Sequence, residues 1–263
     1  MRRLVATHPV TAFCVTAFPL GWTFLALRAA HIGSTAAGYA FTYVALLGSA
    51  LAVTWAGGGR RGVLRFLSRY LIWRVGLRRW ALIVLALPAL TVAAAAASGT
   101  LHVNGHSWAY VAGAFLVQTF ITGALEVNLA EEGAWGGLVQ TRFAQRSGLL
   151  GGALRTAPLF AAMHIPLQFT PGWTWGSVTS GVVALLVIAP FFRYLIGETL
   201  EATGGSLLAA GVLHASFNAS GNLGFPGGWQ FLPALLVLCL GIAVVRRFRR
   251  ARTTHDLHEG EPR

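Results

Sequence analysis

The chain has 263 residues, 55% hydrophobic and only 11% charged, with a net charge of +12 and a mean hydropathy of +0.63. Soluble domains carry about 25% charged residues, so this composition excludes a soluble enzyme and a disordered chain, and two Cys exclude a disulfide scaffold. Apolar runs of about 18 residues or more recur along the chain, the length at which a helix crosses a bilayer. The predicted fold is therefore all-α, a polytopic transmembrane helical bundle of about eight spans. No polar linker divides it, so residues 1–252 read as one transmembrane domain and 253–263 as a polar, disordered cytoplasmic tail.

In chain order the predicted spans cover residues 10–27, 36–56, 80–97, 108–128 with a continuation, 149–169, 175–195, 204–222 and 229–245. The first is too long for the apolar region of a secretory signal, although Arg2 and Arg3 precede it. The basic residues test the count. All twenty are Arg, and a cytoplasmic N-terminus places nineteen of them at inner ends, with Arg28 alone at an outer end. Such a bias is what the positive-inside rule requires, and it places both termini in the cytoplasm of a bacterial-type plasma membrane. The same placement argues against nucleic acid as the partner of this charge. Cys14 and Cys239 fall inside apolar runs and read as small packing residues.

The fourth segment is long. From Trp108 to Arg142 a straight helix would measure roughly 52 Å, so a kink near Gly123 or a break near Asn128 is expected. The basic stretch at 57–79 is a separate feature. From Arg60 to Arg79 its Arg residues alternate with Val63, Leu64, Phe66, Leu67, Tyr70, Leu71 and Trp73. That mixture suits either a helix lying at the inner interface against anionic lipid headgroups or a loop that only sets topology.

Ionisable groups within spans are costly and mark functional sites. Most carboxylates avoid the spans: Glu198 and Glu201 read as an inner loop, and Asp256, Glu259 and Glu261 as the tail. Glu126, Glu131 and Glu132 instead crowd the end of an apolar run, and His164 and His214 lie inside two others. Counting helical rise from the nearest inner ends brings Glu131, His164 and His214 to similar depths, reached from the cytoplasmic side. His214 and Asn218 are four residues apart and share a helix face, as do Phe160 and His164. Glu131 and Glu132 point about 100° apart, so one acid can do chemistry while the other braces. Glycines and alanines around them permit close helix approach.

At these residues the chain resembles the CPBP family of intramembrane endopeptidases, which includes CAAX prenyl endopeptidases and bacteriocin-processing or immunity proteins. Three motifs match in order. Glu131-Glu132-Gly133-Ala134-Trp135-Gly136-Gly137 is similar to the double-glutamate motif, Phe160 through His164 to F-x-x-x-H with Pro166 following, and His214 through Asn218 to H-x-x-x-N. The core motifs occupy 126–222. The usual Arg of the first motif is replaced by Gly136, so Glu132 needs another partner, with Arg142, Arg155 and Arg193 as candidates.

The resemblance implies peptide-bond hydrolysis near the membrane on a peptide or membrane-anchored protein. Glu131 and His164 would activate water, and His214 with Asn218 would bind the oxyanion. Glu132, Trp135 and Phe160 would support them. No cofactor is expected. Two His and a Glu are also a zinc-ligand set, so a zinc metallopeptidase is the alternative mechanism, although the helical H-E-x-x-H arrangement is absent. A non-catalytic scaffold or immunity-type protein is the alternative from another class.

Overall fold

Two glycines in left-handed backbone decide how the apolar runs become a bundle. The computed structural model describes residues 5, 7–102, 105–225 and 230–259. Among them the chain forms seven continuous helices: α1 Pro9–Ala29, α2 Ser34–Leu71, α3 Leu77–Ala97, α4 Trp108–Met163, α5 Trp175–Ala202, α6 Leu207–Gly221 and α7 Phe231–Glu259. Inside α2, Gly59 adopts φ 56°, and inside α4, Gly148 adopts φ 69°. Side chains disfavour this region and glycine does not, so each helix reverses at its glycine. Past Gly148 the two limbs of α4 pack so closely that a Cβ on Gly152 would lie 2.8 Å from that of Ala144.

This reversal accounts for the span count. Five helices, α1 to α5, are long and apolar enough to cross a bilayer. The fourth and fifth expected spans are the limbs 108–147 and 149–163 of the single helix α4. The seventh and eighth correspond to α6 and the apolar half of α7, which fall outside that five. Residue Trp229 of the eighth lies outside the described residues, as do Arg2 and Arg3. α7 stays helical past Arg252 to Glu259, and residues 260–263 of the expected tail also lie outside them.

The excess length of the fourth segment is resolved differently from the expected kink or break. No break occurs at Asn128. Instead α4 contains two stretches of widened turn with i to i+5 bonding, Gln118–Asn128 and Gly133–Gln140, on either side of the α-helical Leu129–Glu132. Such turns are rare and collect at functional sites.

Local chemistry sets the helix ends. Ser107 caps α4 by accepting from the Tyr110 amide, and Ser206 caps α6 by accepting from Ala209. Thr174 and Ser177 form a reciprocal capping box on α5. Ile165-Pro166 ends the second limb of α4, because the residue before proline disfavours helix, which leaves His164 at the limb's terminus.

The basic segment is helical from Arg60 to Leu71 and folds onto the bundle. Arg69 donates from Nε to the Gly205 carbonyl at 2.8 Å and from a terminal nitrogen to the Gly137 carbonyl at 3.0 Å. Tyr70 donates its hydroxyl to the Leu129 carbonyl at 3.0 Å. Glu198 and Glu201, expected in a loop, lie on the last turns of α5, where Arg246 of α7 pairs with both.

Candidate active site

The side chains of Glu131, His164, His214 and Asn218 line one cavity of about 310 Å³. Three helix segments position them: the first limb of α4, the end of its second limb, and α6. Phe160, Phe192, Phe217 and Phe231 wall the cavity, and half-buried Leu185 and Ile188 of α5 close its outer side. Glu131 is 5% exposed and His214 4%, so both carry their polar atoms into a water-poor space.

Glu132 turns away from Glu131, as adjacent helical residues must. It is fully buried and lies outside the cavity lining. Arg193 of α5 grips it with both terminal nitrogens, at 2.8 and 3.0 Å. Arg193 is itself fully buried; its Nε donates to Gln140 Oε1 at 2.8 Å, and the Gln140 amide donates to the Arg193 carbonyl at 2.6 Å. Its guanidinium lies over Phe160 and Phe192, 5.4 Å from each ring centroid. Of the three candidate partners, Arg142 and Arg155 are exposed and Arg193 is the one that reaches Glu132. Gly136 makes room for this arrangement, since a Cβ there would meet Glu132 Oε2 at 2.8 Å.

Hydrogen-bond partners assign the ring nitrogens. His214 Nδ1 lies 2.9 Å from Glu132 Oε1, a carboxylate already gripped by Arg193, so Nδ1 is the donor. That aims Nε2 at the cavity, 3.9 Å from Glu131 Oε2. His164 Nδ1 lies 2.8 Å from the Phe160 carbonyl, which can only accept, so Nδ1 donates there and the Nε2 of the neutral ring is an acceptor. Phe160 packs against His164 with centroids 4.5 Å apart and the rings tilted by 44°. Trp135, also named from sequence, sits fully buried behind this layer and packs edge-on against Phe160 and Phe13, outside the cavity.

Two residues escape the sequence reading. Gln140 completes the buried network. Asn128, one turn before Glu131, lines the cavity with a buried Oδ1 that has no partner among the described residues. Its signal is the i, i+3 spacing to Glu131.

The sequence reading expects entry at the Arg-rich end of the bundle. Toward that end every residue from Gly133 to Gln140 is buried. On the other side Val127 lines both the cavity and a second hollow of about 520 Å³ that Arg28, Tyr39, Thr122, Glu126 and Thr170 also line. Tyr39 donates to Glu126 there at 3.2 Å.

Residues 113–220 match the family model described as Rce1-like type II CAAX prenyl endopeptidase. The resemblance carried by the three motifs is thereby borne out, since all of them fall within this match. No curated protein matches the chain. The matched segment holds α4 from residue 113 onward, the whole of α5 and nearly all of α6, so every residue of the cavity's polar set and of the Glu132–Arg193 network comes from it.

Proposed function

We propose that the protein is an intramembrane peptidase that hydrolyses a peptide bond of a membrane-associated peptide or protein with water activated by Glu131. The observation that carries this reading is the convergence of Glu131, His164, His214 and Asn218 on one cavity. Glu131 accepts a proton from water as the oxygen attacks the carbonyl carbon, and returns it to the leaving amine when the C–N bond breaks. His164, with Nε2 free to accept, holds the same water. The Asn218 amide donates to the carbonyl oxygen as it gains charge, and His214 does so from Nε2 when its ring carries both protons. The Glu132–Arg193–Gln140 network holds His214 in orientation through Nδ1.

We take the metal-independent route as the reading for these residues, with a zinc held by Glu131, His164 and His214 as the alternative. Among the described residues no three His, Cys, Asp or Glu side chains group closely enough to hold a metal ion. A catalytic zinc takes three protein ligands and an open position; the metal-independent reading instead keeps His214 Nε2 for the substrate oxygen, while its Nδ1 stays on Glu132 in either case.

Proteomics of membrane-anchored peptides in cells carrying the wild type or Glu131→Gln tests the activity. Cleavage products present with the wild type and absent with the variant are expected. Identical peptide sets from two equally abundant proteins would leave a scaffold as the reading.

A further inference from the structure

At the end of the bundle opposite Arg28, a pocket of about 450 Å³ opens between the reversed limb of α2 and the first limb of α4. Arg65, Arg69 and Arg142 line it, and no Asp or Glu does. Thr54 adds a hydroxyl that is buried without a partner among the described residues. Gly57 and Gly58 form part of the wall, leaving backbone where side chains would fill the space. Three Arg residues lining one pocket with no carboxylate suit a multivalent anion, and Arg forks match the geometry of phosphate oxygens. The neighbouring hollow is different, because there Arg246 is already matched by Glu201.

We propose that this pocket binds the phosphate of an anionic membrane lipid between Arg65, Arg69 and Arg142. The choice of a lipid over free phosphate rests on what surrounds the pocket. The same segment exposes Leu64, Leu67, Leu71 and Trp73, by 49%, 39%, 76% and 59%. Apolar side chains presented beside a cationic pocket suit an acyl chain entering with its headgroup. Arg69 gives the site a structural reach. Its other hydrogen bonds go to the carbonyls of Gly137 and Gly205 and to the Thr141 hydroxyl, so a bound phosphate clamps the basic segment against the helix that carries Glu131 and the start of the helix that carries His214. The proposal stands independently of the peptidase reading.

Native mass spectrometry of the full-length protein titrated with phosphatidylglycerol, with phosphatidylcholine as reference, tests it. The wild type should retain phosphatidylglycerol preferentially. The Arg65→Gln/Arg142→Gln variant should lose roughly 30-fold in affinity, at about fivefold per guanidinium. Arg69 is left intact because it also holds the fold. Arg60→Gln/Arg61→Gln removes the same charge from exposed positions outside the pocket and should change retention little. Equal retention by the wild type and the pocket variant, or an equal loss in the two variants, would overturn the site. Displacement of phosphatidylglycerol by millimolar inorganic phosphate would overturn the lipid assignment and leave a free-phosphate site.

Discussion

Arg193 holds both carboxylate oxygens of Glu132 from a position 61 residues further along the chain. The guanidinium that the double-glutamate motif usually places four residues after its second glutamate is supplied here by another helix, and the motif position is emptied to Gly136. A buried ion pair of this kind is costly to break, because one charge is left without compensation. Arg193→Met should therefore lower stability by about 3–5 kcal/mol. Gly136→Arg alone should also destabilise, since its Cβ crowds Glu132. The double variant Arg193→Met/Gly136→Arg should recover part of the loss seen with Arg193→Met. Thermal unfolding in detergent measures all three, and a double variant no better than Arg193→Met would show that the two positions are not exchangeable.

Asn218 should act on charge development more than on folding. It lines the cavity one turn beyond His214 and is exposed, so little packing depends on it. Asn218→Ala should reduce turnover about 10²-fold or more, the scale for losing one oxyanion donor. Its melting temperature should stay within a degree or two of the wild type. Turnover equal to wild type would remove Asn218 from the chemistry.

Metal dependence separates the two mechanisms available to the same residues. Activity should survive prolonged treatment with a membrane-permeant chelator, and purified protein should bind zinc at well below one equivalent. Loss of activity on chelation, restored by zinc and by no other divalent ion, would make His214 a ligand through Nε2, with its Nδ1 still held by Glu132.

Orientation follows from the Arg distribution. In a background with Cys14→Ala and Cys239→Ala, a cysteine at His31 should label from outside intact cells. Cysteines at Ser68 and in the tail after Arg252 should label only after the membrane is opened. His31 and Ser68 are both exposed, so access is not limited by packing. The reverse pattern would invert the bundle and place the hollow beside Arg28 on the cytoplasmic side.

Much of this architecture is legible in the residue string because membrane helices announce themselves by length and apolarity. The motif residues are legible because i, i+4 spacing by itself fixes a shared helix face. What stays hidden are relationships across helices. Glu132 has three candidate cations, and only packing distinguishes the buried Arg193 from the exposed Arg142 and Arg155. Arg193 does carry a clue, as it interrupts an apolar run from Leu185 to Tyr194 where an isolated charge needs a partner. The reversal at Gly148 coincides with the expected division between two spans, but nothing in the residue string distinguishes a loop from a single left-handed residue. The widened turns are not legible at all, because glycine spacing such as that of Gly123, Gly133 and Gly136 also fits an ordinary helix. Burial is hidden for a related reason, since depth counts residues along one helix whereas the burial of Gly133–Gln140 comes from what packs around it.

The brevity of α6 has a consequence for the membrane around it. Fifteen residues span only about 22 Å, against a hydrocarbon core of about 30 Å. Most of α6 is buried by its neighbours, and its exposed positions include Asn218. Where such a short helix meets lipid, the mismatch is relieved by local thinning of the bilayer, which would bring bulk water closer to a reaction that consumes it and make the hydration of the cavity depend on lipid composition. Turnover in reconstituted vesicles should rise as acyl chains shorten from 18 to about 14 carbons at constant headgroup. A rate indifferent to chain length would mean that the water for hydrolysis arrives through the protein alone, by way of the hollow at Arg28 and Glu126.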